Sequence, residues 1–128
     1  MKIYLMISLL VCSVAASAKE VRGDVAKNIF SSFVGAGVPL SCGVESCGLQ
    51  VKELICVEAQ AGERSCEMIA RTRKGDFAPL RVEQERATQI SRSLQGGGVN
   101  LTCEADVCYL ELEEVYCISK KQSFSCHF

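Results

Sequence analysis

Eight cysteines stand in two sets of four with almost the same spacing. The first set is Cys42, Cys47, Cys56 and Cys66, and the second is Cys103, Cys108, Cys117 and Cys126. A shift of 61 places residues 24–57 on residues 85–118 without a gap, and 12 of those 34 pairs are identical. The last cysteine of each set aligns after a gap of one residue. This similarity indicates an internal duplication in which each copy is one supersecondary unit.

The N-terminal segment has the features of a secretory signal peptide. Lys2 supplies a positive charge, an apolar run follows over 3–14, and Ala16-Ser17-Ala18 fits a cleavage site. We therefore expect residues 1–18 to be removed, and Cys12 with them. An even number of cysteines in a short exported chain indicates a disulfide framework. The expected location is a periplasm or the extracellular space.

Removal of Lys2 changes the formal net charge from −1 to −2. A mildly acidic chain offers no basic surface for nucleic acid. No second apolar segment has the length of about 20 residues that a membrane span needs. These observations exclude nucleic acid and a membrane span from the expected partners.

Each copy reads as an α-β-β-β unit. An amphipathic helix ends at "GAG" (35–37) or "GGG" (96–98), where glycine permits a left-handed cap. Three strands follow the helix, and their cysteines lie on the apolar side. The apolar parity slips at Lys52-Glu53 and at Glu113-Glu114, which predicts a β-bulge in each copy.

The predicted fold class is α+β, with an antiparallel sheet, helices on one side and disulfides as staples. The expected domains are a first repeat over 19–66, a linker over 67–84 and a second repeat over 85–128. Units of this size rarely bury enough apolar surface alone, so we expect the two repeats to share one core. The segment "RTRKGD" (71–76) is polar and basic, as in a solvated linker.

The duplication predicts that each half pairs its own cysteines. The favoured pattern is Cys42–Cys47, Cys56–Cys66, Cys103–Cys108 and Cys117–Cys126, because cysteines that face each other across a hairpin come within bonding distance. Pairing of Cys42 with Cys56 and of Cys47 with Cys66, or a nested version, remains open.

Motifs for catalysis are absent from the sequence. The single histidine, His127, is the penultimate residue, and Glu67 stands at the corresponding place in the first copy. The cysteine spacing does not fit a zinc site, and thiols in an oxidising compartment are lost to disulfides. We expect no enzyme activity, no metal and no cofactor.

The two copies differ most on the predicted outer face of the second strand. Tyr109 and Tyr116 replace Gly48 and Ile55, and Glu111 lies between the tyrosines on the side away from the cysteines. Tyrosine ringed by acid suits a recognition surface for a basic partner. We therefore predict that Tyr109, Glu111 and Tyr116 bind another exported protein with a basic surface.

The predicted function is a small non-catalytic binding module, inhibitor-like or immunity-like. The alternative is a structural or scaffolding protein of the cell envelope without a discrete ligand. In architecture only, the expected fold resembles the tandem-repeat β-lactamase inhibitory proteins, which also duplicate a helix-plus-sheet unit with disulfides. That resemblance implies a binding role, but it rests on no shared motif and implies no contact residues.

Overall fold

The computed structural model describes residues 19–128. The predicted signal peptide lies outside these residues. The elements, in chain order, are β1 (Glu20–Arg22), α1 (Asp24–Gly35), β2 (Ser41–Cys42), β3 (Ser46–Ala59), β4 (Arg64–Arg71), β5 (Phe77–Glu83), α2 (Glu85–Gly96), β6 (Thr102–Glu104), β7 (Val107–Lys120) and β8 (Ser123–His127). Neither of these two helices is long and apolar enough to cross a membrane.

The eight strands form one antiparallel sheet in the order β1-β8-β7-β3-β4-β5, with β2 added to β3 and β6 added to β7. The long strands β3 and β7 lie side by side at its centre and keep one register from Ser46 opposite Lys120 to Ala59 opposite Val107. This α+β arrangement agrees with the predicted class. It also places the two 14-residue strands in the middle of a broad surface.

The prediction of a linker over 67–84 was wrong. Residues 67–71 continue β4, and residues 77–83 form β5, which pairs with β4 from Ser65–Glu83 to Arg71–Phe77. Only the turn between them matches the expected polar segment. Each helix is also preceded by a short or medium strand, β1 or β5, that the α-β-β-β description omitted.

Both helices pack on one face of the sheet, and their buried residues join those of the strands in a single core cluster. The first helix lies over β7 and β8, and the second helix lies over β4 and β5. The Phe30 and Phe124 rings meet edge to face at 5.5 Å. The Cys126 Sγ atom lies 3.6 Å from the Ala26 carbonyl oxygen, and the Cys66 Sγ atom lies 3.6 Å from that of Ala87. The first helix therefore covers strands of the second half of the chain, and the second helix covers β4 of the first half together with β5, which directly precedes it.

The favoured cysteine pairing is confirmed. The four bonds are Cys42–Cys47, Cys56–Cys66, Cys103–Cys108 and Cys117–Cys126, each between residues that face each other across two antiparallel strands. Their Cα–Cα distances are 4.0 to 4.1 Å. Such a short separation is typical of non-hydrogen-bonded pairs.

The bulge in β3 is confirmed. The register between β3 and β4 shifts between Lys52 and Ile55, and Glu53 has a left-handed φ of 50°. In β7 the buried side changes at the corresponding place, because Glu113 and Glu114 are both exposed and Val115 is buried. Since both strands change side at the same level, the register between them is unbroken.

The glycines after the helices behave as the sequence predicts. Gly37 and Gly98 have φ values of 99° and 98°, in the left-handed region that residues other than glycine rarely adopt. Two residues earlier, Gly35 and Gly96 end the helices. These turns direct the chain from the helix layer back to the sheet.

Candidate functional site

The face of the sheet opposite the helices, which we call the outer face, carries the residues that the sequence singled out. Tyr109, Glu111 and Tyr116 alternate with Leu110 and with the buried residues Val115 and Cys117 along β7, so they point away from the core. Glu111 is exposed, Tyr116 is 39% exposed and Tyr109 is half-buried. The predicted strand parity is therefore correct for all three.

The structure brings two of these three residues together. Glu111 and Tyr116 line one open groove of about 1080 Å³, which also includes Gln50 and His127. Tyr109 lies outside this groove. Tyr109 and Tyr116 are seven positions apart on the strand, which corresponds to at most about 24 Å.

Tyr109 is held by its own hairpin. Its hydroxyl donates a hydrogen bond of 3.4 Å to the Glu104 carboxylate on β6. The negative charge of Glu104 raises the pKa of Tyr109, with smaller contributions from desolvation, from that hydrogen bond and from the charge of Glu111. The neutral phenol is favoured because the phenolate would lie among carboxylates.

The groove is acidic overall. It is lined by four glutamates, at positions 20, 111, 113 and 114, and by two basic residues, Lys19 and Arg71. The Gln50 amide donates a hydrogen bond to the Glu114 carboxylate. The hydrogen bond from Arg22 lowers the pKa of Glu20, and the Arg22 and His127 charges add to this effect.

His127 lies beside Glu20 and Tyr116 at the edge of this groove. It is half-exposed, its Nε2 atom lies 3.8 Å from a Glu20 oxygen, and its ring lies 6.4 Å from that of Tyr116. Neither neighbour is a nucleophile of the kind that a histidine base activates. Within residues 19–128 no three His, Cys, Asp or Glu side chains are grouped as metal ligands.

Sequence reasoning missed part of the outer face. Ile55 is 44% exposed and Phe77 is 36% exposed. The Lys52 ammonium group lies 4.1 Å from the centre of the Phe77 ring, although 25 positions separate the two residues in the chain. Ile55 lies between the buried residues Leu54 and Cys56, so its side chain points to the outer face. Phe77 falls in the segment that the sequence predicts to be a linker. Its place on this face follows only from the pairing of β5 with β4.

Comparison with known proteins adds no family to these observations. No protein-family model, no curated protein and no solved structure matches the chain.

Proposed function

We propose that this chain is an exported, non-catalytic protein-binding module, inhibitor-like or immunity-like, that recognises a basic surface of another exported protein. The binding face is the outer face along β7, with Tyr116 and Glu111 at its centre and Tyr109 at one end. The observation that carries the proposal is the position of the helices. Because both lie on the opposite side, the outer face is left uncovered with an acidic groove beside a partly exposed tyrosine.

Charge complementarity supports a basic partner. Glu111, Glu113 and Glu114 are all exposed on one strand. Acidic side chains on an open face accelerate the encounter with a basic surface and exclude acidic competitors. Tyrosine contributes contact area at a small entropic cost, which is why it is common among the residues that dominate binding energy.

Rigidity supports the same role. Four disulfides join neighbouring strands, and two of them bind β2 and β6 to the ends of the central strands. A surface that is already ordered loses little conformational freedom on binding, so more of its contact energy appears as affinity.

We further propose that the chain arose by internal duplication and that residues 1–18 direct its export. The offset of 61 relates the first three cysteines of each set, and it also relates Ser32 to Ser93, whose hydroxyl oxygens lie 2.9 Å apart between the helices. It relates Ala26 to Ala87, whose carbonyl groups contact the corresponding disulfides. Four disulfides suit an oxidising compartment.

The test is affinity capture from the periplasm or medium of the host with the oxidised, tagged protein, followed by kinetics with the recovered partner. Tyr116→Ala should weaken binding by at least about 2 kcal/mol if the tyrosine is an anchor. Glu111→Lys should mainly slow association, more strongly at low salt. Tyr109→Ala measures how far the interface extends along β7.

Glu85→Lys is the matched control, because it makes the same change in net charge at an exposed position of α2, on the helix layer. The proposal requires that this variant bind as the unchanged protein does. If Glu111→Lys and Glu85→Lys change binding equally, binding responds only to the net charge of the protein, and the outer face is not the binding site. Capture of no saturable partner, together with uniform fractionation with the envelope, would favour the structural alternative.

A further inference from the structure

A small pocket opens between the first disulfide hairpin and the outer face. Its volume is about 150 Å³, and its walls include Pro39, Tyr116, Ile118 and the Cys47 end of a disulfide. A cavity of this size is sufficient for a single aromatic ring or a branched aliphatic group. Its volume therefore suits a compact group, and Pro39, Tyr116 and Ile118 supply the apolar part of its wall.

Glycine creates this space. Gly48 faces Ile118 on the neighbouring strand, and a Cβ atom placed on Gly48 would lie 3.9 Å from Cε1 of the Tyr116 ring. Gly43, in the adjacent turn, also lines the pocket. The side chains that could fill this volume are absent from both positions.

The other end of the sheet shows what such side chains do. The positions 61 residues further on are Glu104 and Tyr109, and Tyr109 faces Val57 as Gly48 faces Ile118. The Tyr109 hydroxyl reaches the Glu104 carboxylate at 3.4 Å. At the second hairpin, these two side chains occupy the region that corresponds to the one left open by Gly43 and Gly48 at the first hairpin.

The charge on the pocket wall is of one sign. Arg71 is the one charged residue among its lining residues. Within residues 19–128 the Arg71 guanidinium has no carboxylate within 4.0 Å, which is also true of Arg73, Arg86 and Arg92, but among these four arginines Arg71 is the one that lines the pocket. An arginine without a partner beside a pocket of mixed polar and apolar lining favours a carboxylate, which it can bind through two parallel hydrogen bonds.

We infer that this pocket binds a small carboxylic acid with an aromatic or branched aliphatic body, with the carboxylate on Arg71 and the apolar body between Tyr116 and Ile118. Gln50 and Ser46 supply further polar groups at the wall. This site does not depend on the proposed function, because the ligand is a free small molecule and needs no partner protein.

The test titrates the oxidised protein with phenylacetate while the backbone amide signals are followed by NMR. Benzylamine supplies the same ring with the opposite charge, and acetate supplies the charge without the ring. Phenylacetate should bind saturably in the millimolar range, as expected for about ten non-hydrogen atoms. The shifts should centre on Gly48, Tyr116 and Ile118, and both other probes should bind at least about tenfold more weakly.

Two variants and one control complete the test. Arg71→Gln should weaken phenylacetate binding about tenfold or more and remove the preference over benzylamine. Gly48→Val should abolish binding by filling the pocket. Its backbone φ is outside the left-handed region, and the atom nearest to the new Cβ is the Cys117 carbonyl oxygen at an ordinary 3.4 Å. Arg81→Gln, which removes a paired arginine of the same face, should change the affinity less than twofold.

The inference is overturned if phenylacetate gives no saturable shifts or shifts centred elsewhere. It is also overturned if acetate or benzylamine binds as tightly, or if Arg71→Gln binds phenylacetate unchanged. The amide spectrum of each variant shows whether it is folded. If Gly48→Val does not fold, the comparison of Arg71→Gln with Arg81→Gln decides alone.

Discussion

The two ends of the outer face differ because Gly48 stands at one end where Tyr109 stands at the other. Gly48 leaves a pocket next to the first disulfide hairpin, while Tyr109 covers the corresponding region and binds Glu104. The identity of these residues was visible in the sequence, and so was their outward direction. The pocket was not, because it depends on the Arg71 and Tyr116 side chains that strand pairing brings from β4 and β7.

The Tyr109–Glu104 contact leads to a prediction about pH. Since the Glu104 charge is the largest cause of the raised pKa of Tyr109, Glu104→Gln should lower that pKa toward its ordinary value. A raised pKa means that this contact stabilises the fold at pH values below the unfolded pKa, and that its contribution is lost as the pH rises through the folded pKa. Ring carbon chemical shifts of Tyr109 followed against pH measure the change.

Asp106→Asn is the control for that titration, because it removes one negative charge from the same hairpin without touching a group that shifts the pKa of Tyr109. The explanation fails if the two substitutions lower the pKa of Tyr109 equally, or if neither does.

Tyr116 should matter less for stability than a core residue. Its ring packs over Gly48 but is 39% exposed, so Tyr116→Ala should lower the free energy of unfolding by about 1 kcal/mol. Leu54→Ala, at a fully buried site of the adjacent strand, should cost about 2–5 kcal/mol. Chemical denaturation of both variants measures the difference. Equal losses would mean that Tyr116 belongs to the core and is a poor choice for a binding residue.

At the scale of the elements, the disulfides fall into two classes that pairing alone does not reveal. Cys56–Cys66 and Cys117–Cys126 are buried between sheet and helices, whereas Cys42 and Cys103 are exposed in the short outer hairpins. The loop-closure contribution is similar for all four, about 2–3 kcal/mol each. The accessibility of the four bonds to a reductant differs, because a reductant must reach the sulfur atoms and only the two hairpin bonds are exposed.

We therefore expect mild reduction of the native protein to open Cys42–Cys47 and Cys103–Cys108 first. Alkylation and mass spectrometry should find label on those four cysteines while the two buried bonds persist. Simultaneous Cys117→Ala and Cys126→Ala substitution should also destabilise more than the same change at Cys103 and Cys108, because it adds a cavity. Uniform labelling of all eight cysteines at the earliest times would contradict this explanation.

The strands were predictable where apolar and polar residues alternate around the cysteines. The polar, basic segment 71–76 led to the prediction of a linker over 67–84, although residues 77–83 form β5. The backbone N–H of Gln84 donates to the Arg64 carbonyl oxygen, so the even-numbered residues of β5 bond to β4 and the backbone nitrogen of Pro79 faces the free edge. Proline is tolerated there because no hydrogen bond is lost, and it protects the edge from pairing with another chain.

At the scale of the whole molecule, the sequence predicts a shared core but not how it is shared. An offset of 61 relates equivalent positions without saying which helix covers which strands. In the structure α1 covers β7 and β8, α2 covers β4 and β5, β1 pairs with β8, and β5 pairs with β4. Each half therefore completes the core of the other, and the uncovered face is continuous across both.

The measurement that tests this arrangement most directly separates the halves at the turn between β4 and β5. Two chains, residues 19–73 and 74–128, are oxidised separately and then mixed. At low concentration each chain alone should show no cooperative unfolding transition, because α1 lacks β7 and β8 and α2 lacks β4. An equimolar mixture should recover the amide spectrum and the transition of the intact protein. A folded, monomeric half with its own cooperative transition would contradict the shared core, and with it the origin of the uncovered outer face.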